Sequence, residues 1–422
     1  MQNIGNLQSV RGVSRRTLMR AAGASVGGVA ILPLLAQTGL MAADTSSASR
    51  ASGDPQKIFQ KAVDDAIAAG EIGLQIAVYK NGKQVVNVWG GIADQKSGRK
   101  VDANTLFNVF SVTKGWTNMC LQLQAERGLI DYNKPVAFYW PEFGVNGKDK
   151  CTVRDALSHR GGVPYMPEGV TPEKMADHEW MVKELAAMKP VYTPGTKNGY
   201  HSYTWGWLIA ELVRRTDPKK RPFVQFFQEE LLKPLGVTDT YMGVPESARP
   251  RIATMYGKGG TEGKDPASPN ARAIPVQVDT SPGVWSLPAV QKAVIPGAGG
   301  ITSAISQIRL WAMLANGGEL DGVRLLSPER IRAASLPRPG GDEIDVVTGF
   351  QSANVSTLGF WMRGTDPIVG TNPHIIGQLG AGISIGWADP DNNLAVAVCH
   401  NRFGNTYSKP LSVAVTGAYG VT

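Results

Sequence analysis

Strand signals gather at the two ends of this 422-residue chain and thin out between them. Near the start, residues 74–79 and 85–89 are strand-like, and Asn81-Gly82 between them favours a two-residue hairpin turn. Near the end, residues 359–362, 383–388 and 394–400 read as strands, with Pro390-Asp391-Asn392-Asn393 turning between the last two. Residues from about 130 to 290 are rich in loops and carry helical patterns at 172–188, 204–215 and 222–232. Further helices are predicted at 55–69, opened by Pro55 and closed by Gly70, and at 111–127, 302–315 and 409–419. Strands from both termini around a helical insert predict an α+β fold. One antiparallel sheet is flanked by helices, a mostly helical lobe stands beside it, and the site lies between the two. By chain order the sheet lobe takes about 55–110 and 320–422, and the helical lobe about 111–319.

The N-terminus predicts export. Ser14-Arg15-Arg16-Thr17-Leu18-Met19 is a twin-arginine pattern, followed by a mostly apolar run from Ala21 to Leu35 and small residues around Met41-Ala42-Ala43. Gly23, Gly27, Gly28 and Pro33 interrupt that run, and it is short for a membrane span. Residues 1–43 are therefore read as a Tat-type signal peptide and 44–54 as a Ser/Ala-rich linker ahead of a single folded domain at 55–422. This predicts a periplasmic or secreted protein that meets the Tat export machinery. Membrane contact is expected only if the signal is retained.

The signal also holds much of the charge. Arg11, Arg15, Arg16 and Arg20 are the charged residues before Asp44, so without those four the formal net charge falls from +8 to +4. No basic run interleaved with aromatics follows, which argues against a nucleic-acid partner. Cys120, Cys151 and Cys399 are far apart, and the five histidines lack metal-site spacing. No metal or organic cofactor is expected.

Chemistry enters at Phe107-Asn108-Val109-Phe110-Ser111-Val112-Thr113-Lys114-Gly115-Trp116. Residues three apart share a helical face, so Lys114 can reach the Ser111 hydroxyl. A serine is a poor nucleophile until a neighbour removes its proton, and a lysine does this only when neutral. The apolar flanks can supply the dry surroundings that lower a lysine pKa. Spacing alone leaves a second reading open, in which Ser111 is a helix N-cap and Lys114 incidental. Ser97 and Lys100 share the spacing in a polar, turn-like stretch and are read as solvated.

Several ordered segments resemble the serine β-lactamase and penicillin-binding-protein fold, class C branch. The nucleophile segment resembles its first motif. The loop from Val153 through Ser158-His159-Arg160-Gly161-Gly162-Val163-Pro164 and the segment Pro194-Gly195-Thr196-Lys197-Asn198-Gly199-Tyr200-His201-Ser202 resemble two more of its segments. Leu231 to Thr240, Pro296-Gly297-Ala298-Gly299-Gly300-Ile301 and Gly380-Ala381-Gly382 also have counterparts there. Within the branch, the likeness is to the family VIII esterases.

The resemblance implies roles. Ser111 is the acyl-accepting nucleophile, Lys114 helps remove its proton, and Tyr200 acts as base, as a phenolate or sharing its proton with Lys114. The backbone N–H groups of Ser111 and Ala381 form an oxyanion hole, and Gly380 allows close approach. Gln378, Leu379, His201 and Trp361 are expected substrate contacts. Two departures narrow the substrate. Neutral Gln378 stands where the family's third motif carries a cation, and Tyr200-His201-Ser202 replaces the usual Tyr-x-Asn. Both favour neutral carboxylic esters over substrates with a carboxylate.

His374 or Arg402 remain candidates for a substitute charge, and a β-lactamase, a D-alanyl-D-alanine carboxypeptidase or an acyltransferase remains the alternative. A non-catalytic binding protein is a further reading, opposed by the presence of Ser111, Lys114 and Tyr200. Gly382-Ile383-Ser384-Ile385-Gly386 matches Gly-x-Ser-x-Gly, but that motif needs a following helix and here lies in a strand-like run. His159 is expected to be structural. Trp116, Tyr165, Trp285, Phe360 and Trp361 are candidates to line an acyl pocket.

Overall fold

Asn81 and Gly82 both adopt the left-handed region, at φ 52° and 71°, as a two-residue hairpin requires. In the computed structural model, which describes residues 53–351, 355–362, 372–404 and 406–421, this turn joins β1 (Gly73–Lys80) to β2 (Lys83–Asp94). The other strands are β3 (Arg99–Lys100), β4 (Phe107–Phe110), β5 (Thr240–Met242), β6 (Gly300–Thr302), β7 (Glu319–Leu320), β8 (Val323–Arg324), β9 (Trp361–Met362), β10 (Ile376–Leu379), β11 (Ile385–Asp389) and β12 (Leu394–His400). The helices that matter most are α1 (Pro55–Ala68), α2 (Val112–Glu126), α3 (Thr204–Thr216), α4 (Ala304–Ala315) and α5 (Ser408–Tyr419).

The main sheet runs β3-β2-β1-β12-β11-β10-β9 and is antiparallel throughout. The N-terminal hairpin lies against the C-terminal strands, with Leu74 opposite His400 and Lys80 opposite Leu394. Both sheet faces are covered, so the strands alternate between two cores. Leu74, Ile76, Val78, Val396 and Val398 pack under α1 and α5. Ala77, Ala395, Ala397 and Cys399 face α4. The α4 face is built from small residues because the helix comes close. A Cβ on Gly386 would sit 1.9 Å from the Trp311 indole nitrogen. A second sheet, β4-β6-β5, leads into α2.

Most predicted elements form, with local corrections. The helix expected at 172–188 breaks at Asp177, whose carboxylate accepts the Trp180 N–H and starts a new helix, His178–Ala187. The lobe boundary drawn from chain order also shifts. Helix α4 packs on the sheet. Residues 338–347 attach to the helical side through Arg160 and Asn198. The expected signal peptide, and all but the last two residues of the expected linker, lie outside the described residues. The three cysteines are buried free thiols.

Candidate active site

Ser111 is presented by a strained turn between strand and helix. Strand β4 ends at Phe110, which is held at φ 46°, a region that bulky side chains avoid at a cost of about 1–3 kcal/mol. The Asn108 side-chain oxygen accepts the Phe110 N–H (3.1 Å), and the Phe110 ring packs on Trp285 and Phe403. Ser111 then stands at the N-cap of α2, yet its hydroxyl makes no capping bond. The structure thus removes the reading of Ser111 as a simple cap.

One turn along α2, Lys114 is 1% exposed. Its Nζ lies 2.9 Å from Ser111 Oγ, 2.6 Å from the Ser202 carbonyl and 2.8 Å from the Gly297 carbonyl. Burial pushes its pKa down to about 7. A neutral amine has two N–H groups and one lone pair. Two carbonyls take the N–H groups, which leaves the lone pair for the Ser111 proton. The Gly297 carbonyl is present because two glycines let the chain cross α3 closely: a Cβ on Gly206 would meet the Gly297 nitrogen at 2.0 Å.

The Tyr200 hydroxyl lies 3.2 Å from Ser111 Oγ. Burial pushes its pKa up to about 12, opposed by the Ser111 hydrogen bond and aided by the Asp345 charge. Lys114 Nζ sits over the ring, 5.3 Å from its centre, and makes no hydrogen bond to the phenol oxygen. The phenolate anticipated from the family motif is therefore disfavoured here. The lysine N–H groups are spent on carbonyls, so the Ser111 hydrogen bond is left to oppose the burial of a phenolate charge. Lys114 is the member of the pair that is neutral near pH 7.

The two histidines brace this arrangement. His201 is fully buried, with Nε2 accepting the Val163 N–H (3.1 Å) and Nδ1 against the Gly199 carbonyl. Its own N–H donates to His159 Nδ1 (3.1 Å). Burial pushes the His201 pKa down to about 4 and lowers that of His159 as well. His201 does not border the cavity, so its expected substrate contact gives way to a bracing role. His159 does border it, with its ring 4.8 Å from that of Tyr200. Neither imidazole hydrogen-bonds Ser111, so no Ser-His-Asp triad forms.

A cavity of about 410 Å³ opens over Ser111 and Tyr200, within the usual range for small-molecule sites. Leu379, Gly380, Ala381 and Trp361 border it as expected. Gly380 must be glycine, since a Cβ would lie 2.2 Å from the Val109 carbonyl oxygen. Ser111 caps α2 and Ala381 opens a 3-10 turn. Both N–H groups therefore stand at helix starts, where donors lack an intrahelical acceptor.

Gln378 departs from expectation. It is 1% exposed and faces away from Leu379 toward Gly115 of α2, and neither side-chain polar atom has a partner. It does not border the cavity. Strand alternation sends it into the core.

The other candidates separate cleanly. His374 is exposed and paired with Asp391 (2.7 Å), and Arg402 hydrogen-bonds the Gly70 carbonyl. Neither borders the cavity. A different cation does: Arg338, buried, donating to the Ser158 carbonyl at 2.6 Å, with Asp345 also in the wall. Their segment gave no sequence signal beyond ordinary charged residues. Trp116, Trp285 and Phe360 are core side chains. Tyr165 lines a neighbouring hollow of about 800 Å³ that touches neither Ser111, Lys114 nor Tyr200. Ser384 precedes β11 rather than a helix, and its carbonyl accepts the Gly380 N–H (2.7 Å). Ser97 and Lys100 are exposed.

Comparisons with known proteins agree with this geometry. Residues 57–415 match the beta-lactamase family model. The chain is 34% identical to the esterase/beta-lactamase LipL of Mycobacterium tuberculosis over 344 residues, covering 78% of this chain and 76% of that protein. Among solved structures, a family VIII carboxylesterase superposes with a TM-score of 0.77 at 30% identity, over 86% of this chain and 97% of that one. A penicillin-binding protein homologue from Caulobacter crescentus superposes with a TM-score of 0.75 at 29% identity, over 86% and 98%.

Proposed function

The chain belongs to the β-lactamase family and is a hydrolase of that fold, and from that premise we propose that it is an exported enzyme cleaving carboxylic esters through an acyl-enzyme on Ser111. The observation that carries this reading is the placement of Lys114, with two carbonyls on its N–H groups and Ser111 Oγ at 2.9 Å. Lys114 takes the serine proton as Oγ attacks the ester carbonyl. The N–H groups of Ser111 and Ala381 hold the developing oxyanion, and losing one such donor typically costs about 3 kcal/mol. Collapse of the intermediate expels the alkoxide, which recovers the proton from Lys114 while the Tyr200 phenol hydrogen-bonds the reacting oxygen. Water then repeats the sequence on the acyl-enzyme.

With Gln378 buried in the core, β10 presents no cation to the cavity, and the Arg338 charge in the wall is accompanied by that of Asp345, which supports ester over carboxylate-bearing substrates. Export by a Tat-type route rests on the twin-arginine sequence alone. The test is turnover of p-nitrophenyl acyl esters beside nitrocefin by the protein lacking residues 1–43. Ester hydrolysis that disappears in Ser111→Ala and survives in Ser384→Ala is the expected result. Nitrocefin turnover as fast as ester turnover sinks the substrate assignment, and activity surviving Ser111→Ala sinks the site.

A further inference from the structure

The wall of the Ser111 cavity continues past its mouth. Phe350 borders the cavity yet is 76% exposed, and Ile344 beside it is 58% exposed. Single exposed apolar residues are ordinary. These two share one locked turn. The Asp345 N–H donates to the Phe350 carbonyl (2.9 Å), the Gly349 N–H donates to the Asp345 carbonyl (2.8 Å), and Asp345 Oδ1 accepts the N–H groups of Val347 and Thr348. Ile344 bridges Gln351 across the turn. The turn is also pinned to the body: the Val346 N–H donates to the Asn198 carbonyl (2.9 Å), and buried Val347 packs on Tyr165 and Ala273. These bonds fix the backbone that carries Phe350 and Ile344.

Ile274, Val355, Trp361 and Leu379 add apolar surface to the wall that also holds Ser111. At about 410 Å³ the cavity is at the small end of the range for small-molecule sites. Its wall includes exposed Phe350, so a chain longer than the cavity runs out over that rim.

Resting on the ester reading above, we propose that Phe350 and Ile344 extend the binding site outward and receive an extended apolar chain of the substrate, which makes this rim the determinant of chain-length preference. The chain can belong to the acyl or the alcohol side, and the test separates them. The kcat/KM of the protein is measured on p-nitrophenyl alkanoates from acetate to decanoate and on alkyl acetates of matched length. Wild type, Phe350→Ser, Phe350→Leu and Phe138→Ser are compared. Phe138 is a control that is 65% exposed and lies outside the cavity wall.

The expected result is that Phe350→Ser lowers the ratio of kcat/KM for the longest to the shortest chain about tenfold in one of the two series. Phe350→Leu should keep most of the preference, and Phe138→Ser should leave the ratio unchanged. An unaltered ratio in Phe350→Ser, with short esters still cleaved, overturns this inference and leaves the esterase reading standing. A wild-type protein that cleaves no ester in either series overturns both.

Discussion

Two lysines are buried in this protein, and one partner separates their roles. Lys148 places Nζ against three carbonyls, those of Val145, Ala186 and Met188. An ammonium has three N–H groups, so that site is complete for the charged form and ties the loop at Val145 to the helix end at Ala186 and Met188. Lys114 has two carbonyls and a serine hydroxyl. Three acceptors make a structural cation. Two acceptors and a hydroxyl make a base. Burial lowers both pKa values, but for Lys114 it reaches about 7, so the position of one carbonyl divides stability from chemistry.

Exchanging the two lysines in turn tests this most sharply. Lys114→Met should lower kcat on p-nitrophenyl butyrate about a thousandfold, the scale of a lost general base, while Tm stays within a few degrees. Lys148→Met should do the reverse. Removing charged hydrogen bonds and stranding buried carbonyls destabilises on the order of 3 kcal/mol, with kcat of the folded fraction near wild type. Thermal melts and active-site titration on both variants decide it. A Lys148→Met enzyme that folds normally and is inactive would break the comparison.

Titration gives the next largest effect. Only neutral Lys114 accepts the serine proton, so kcat/KM should rise with pH through about 7 and then level off. Tyr200→Phe should lower the plateau about tenfold to a hundredfold and leave that inflection in place, because the phenol's pKa is pushed up to about 12. If Tyr200 were the titrating base, Tyr200→Phe would erase the inflection. Stability carries the same signature. The folded Lys114 pKa lies below its unfolded value, so between pH 7 and about 10 the unfolded chain binds more protons. Stability should therefore rise with pH across that window and fall away as pH drops toward 7, and Lys114→Met should flatten the rise.

The contrast also explains what was legible in the sequence. Asn81-Gly82 and the Ser111–Lys114 spacing announced themselves because their signals are local: a turn needing two left-handed residues, and two side chains on one helical face. The groups that make Lys114 a base did not, since the Ser202 and Gly297 carbonyls are backbone and carry no residue type. Gly206 was the available clue, and its meaning depends on which segment crosses it. Arg338 and Asp345 reach the cavity from a segment whose attachment to Arg160 and Asn198 has no local pattern. The protonation of Tyr200 depends on where the lysine's hydrogens go, and motif likeness does not report that.

Gln378 supplies the smallest test and sharpens the comparison from the opposite side. Both lysines are buried with their donors used, whereas the Gln378 amide is buried with neither polar atom partnered. A buried amide without partners costs about 1–3 kcal/mol, and the Gln378 Cβ lies beside Gly115 of α2, where the Trp311 indole also packs. Gln378→Met keeps the volume and removes the unsatisfied groups. Chemical denaturation should show it to be about 1 kcal/mol more stable than wild type, with the chain-length profile on p-nitrophenyl esters intact. A loss of stability, or a changed substrate profile, would mean that the amide meets a partner during turnover and that Gln378 belongs to the site after all.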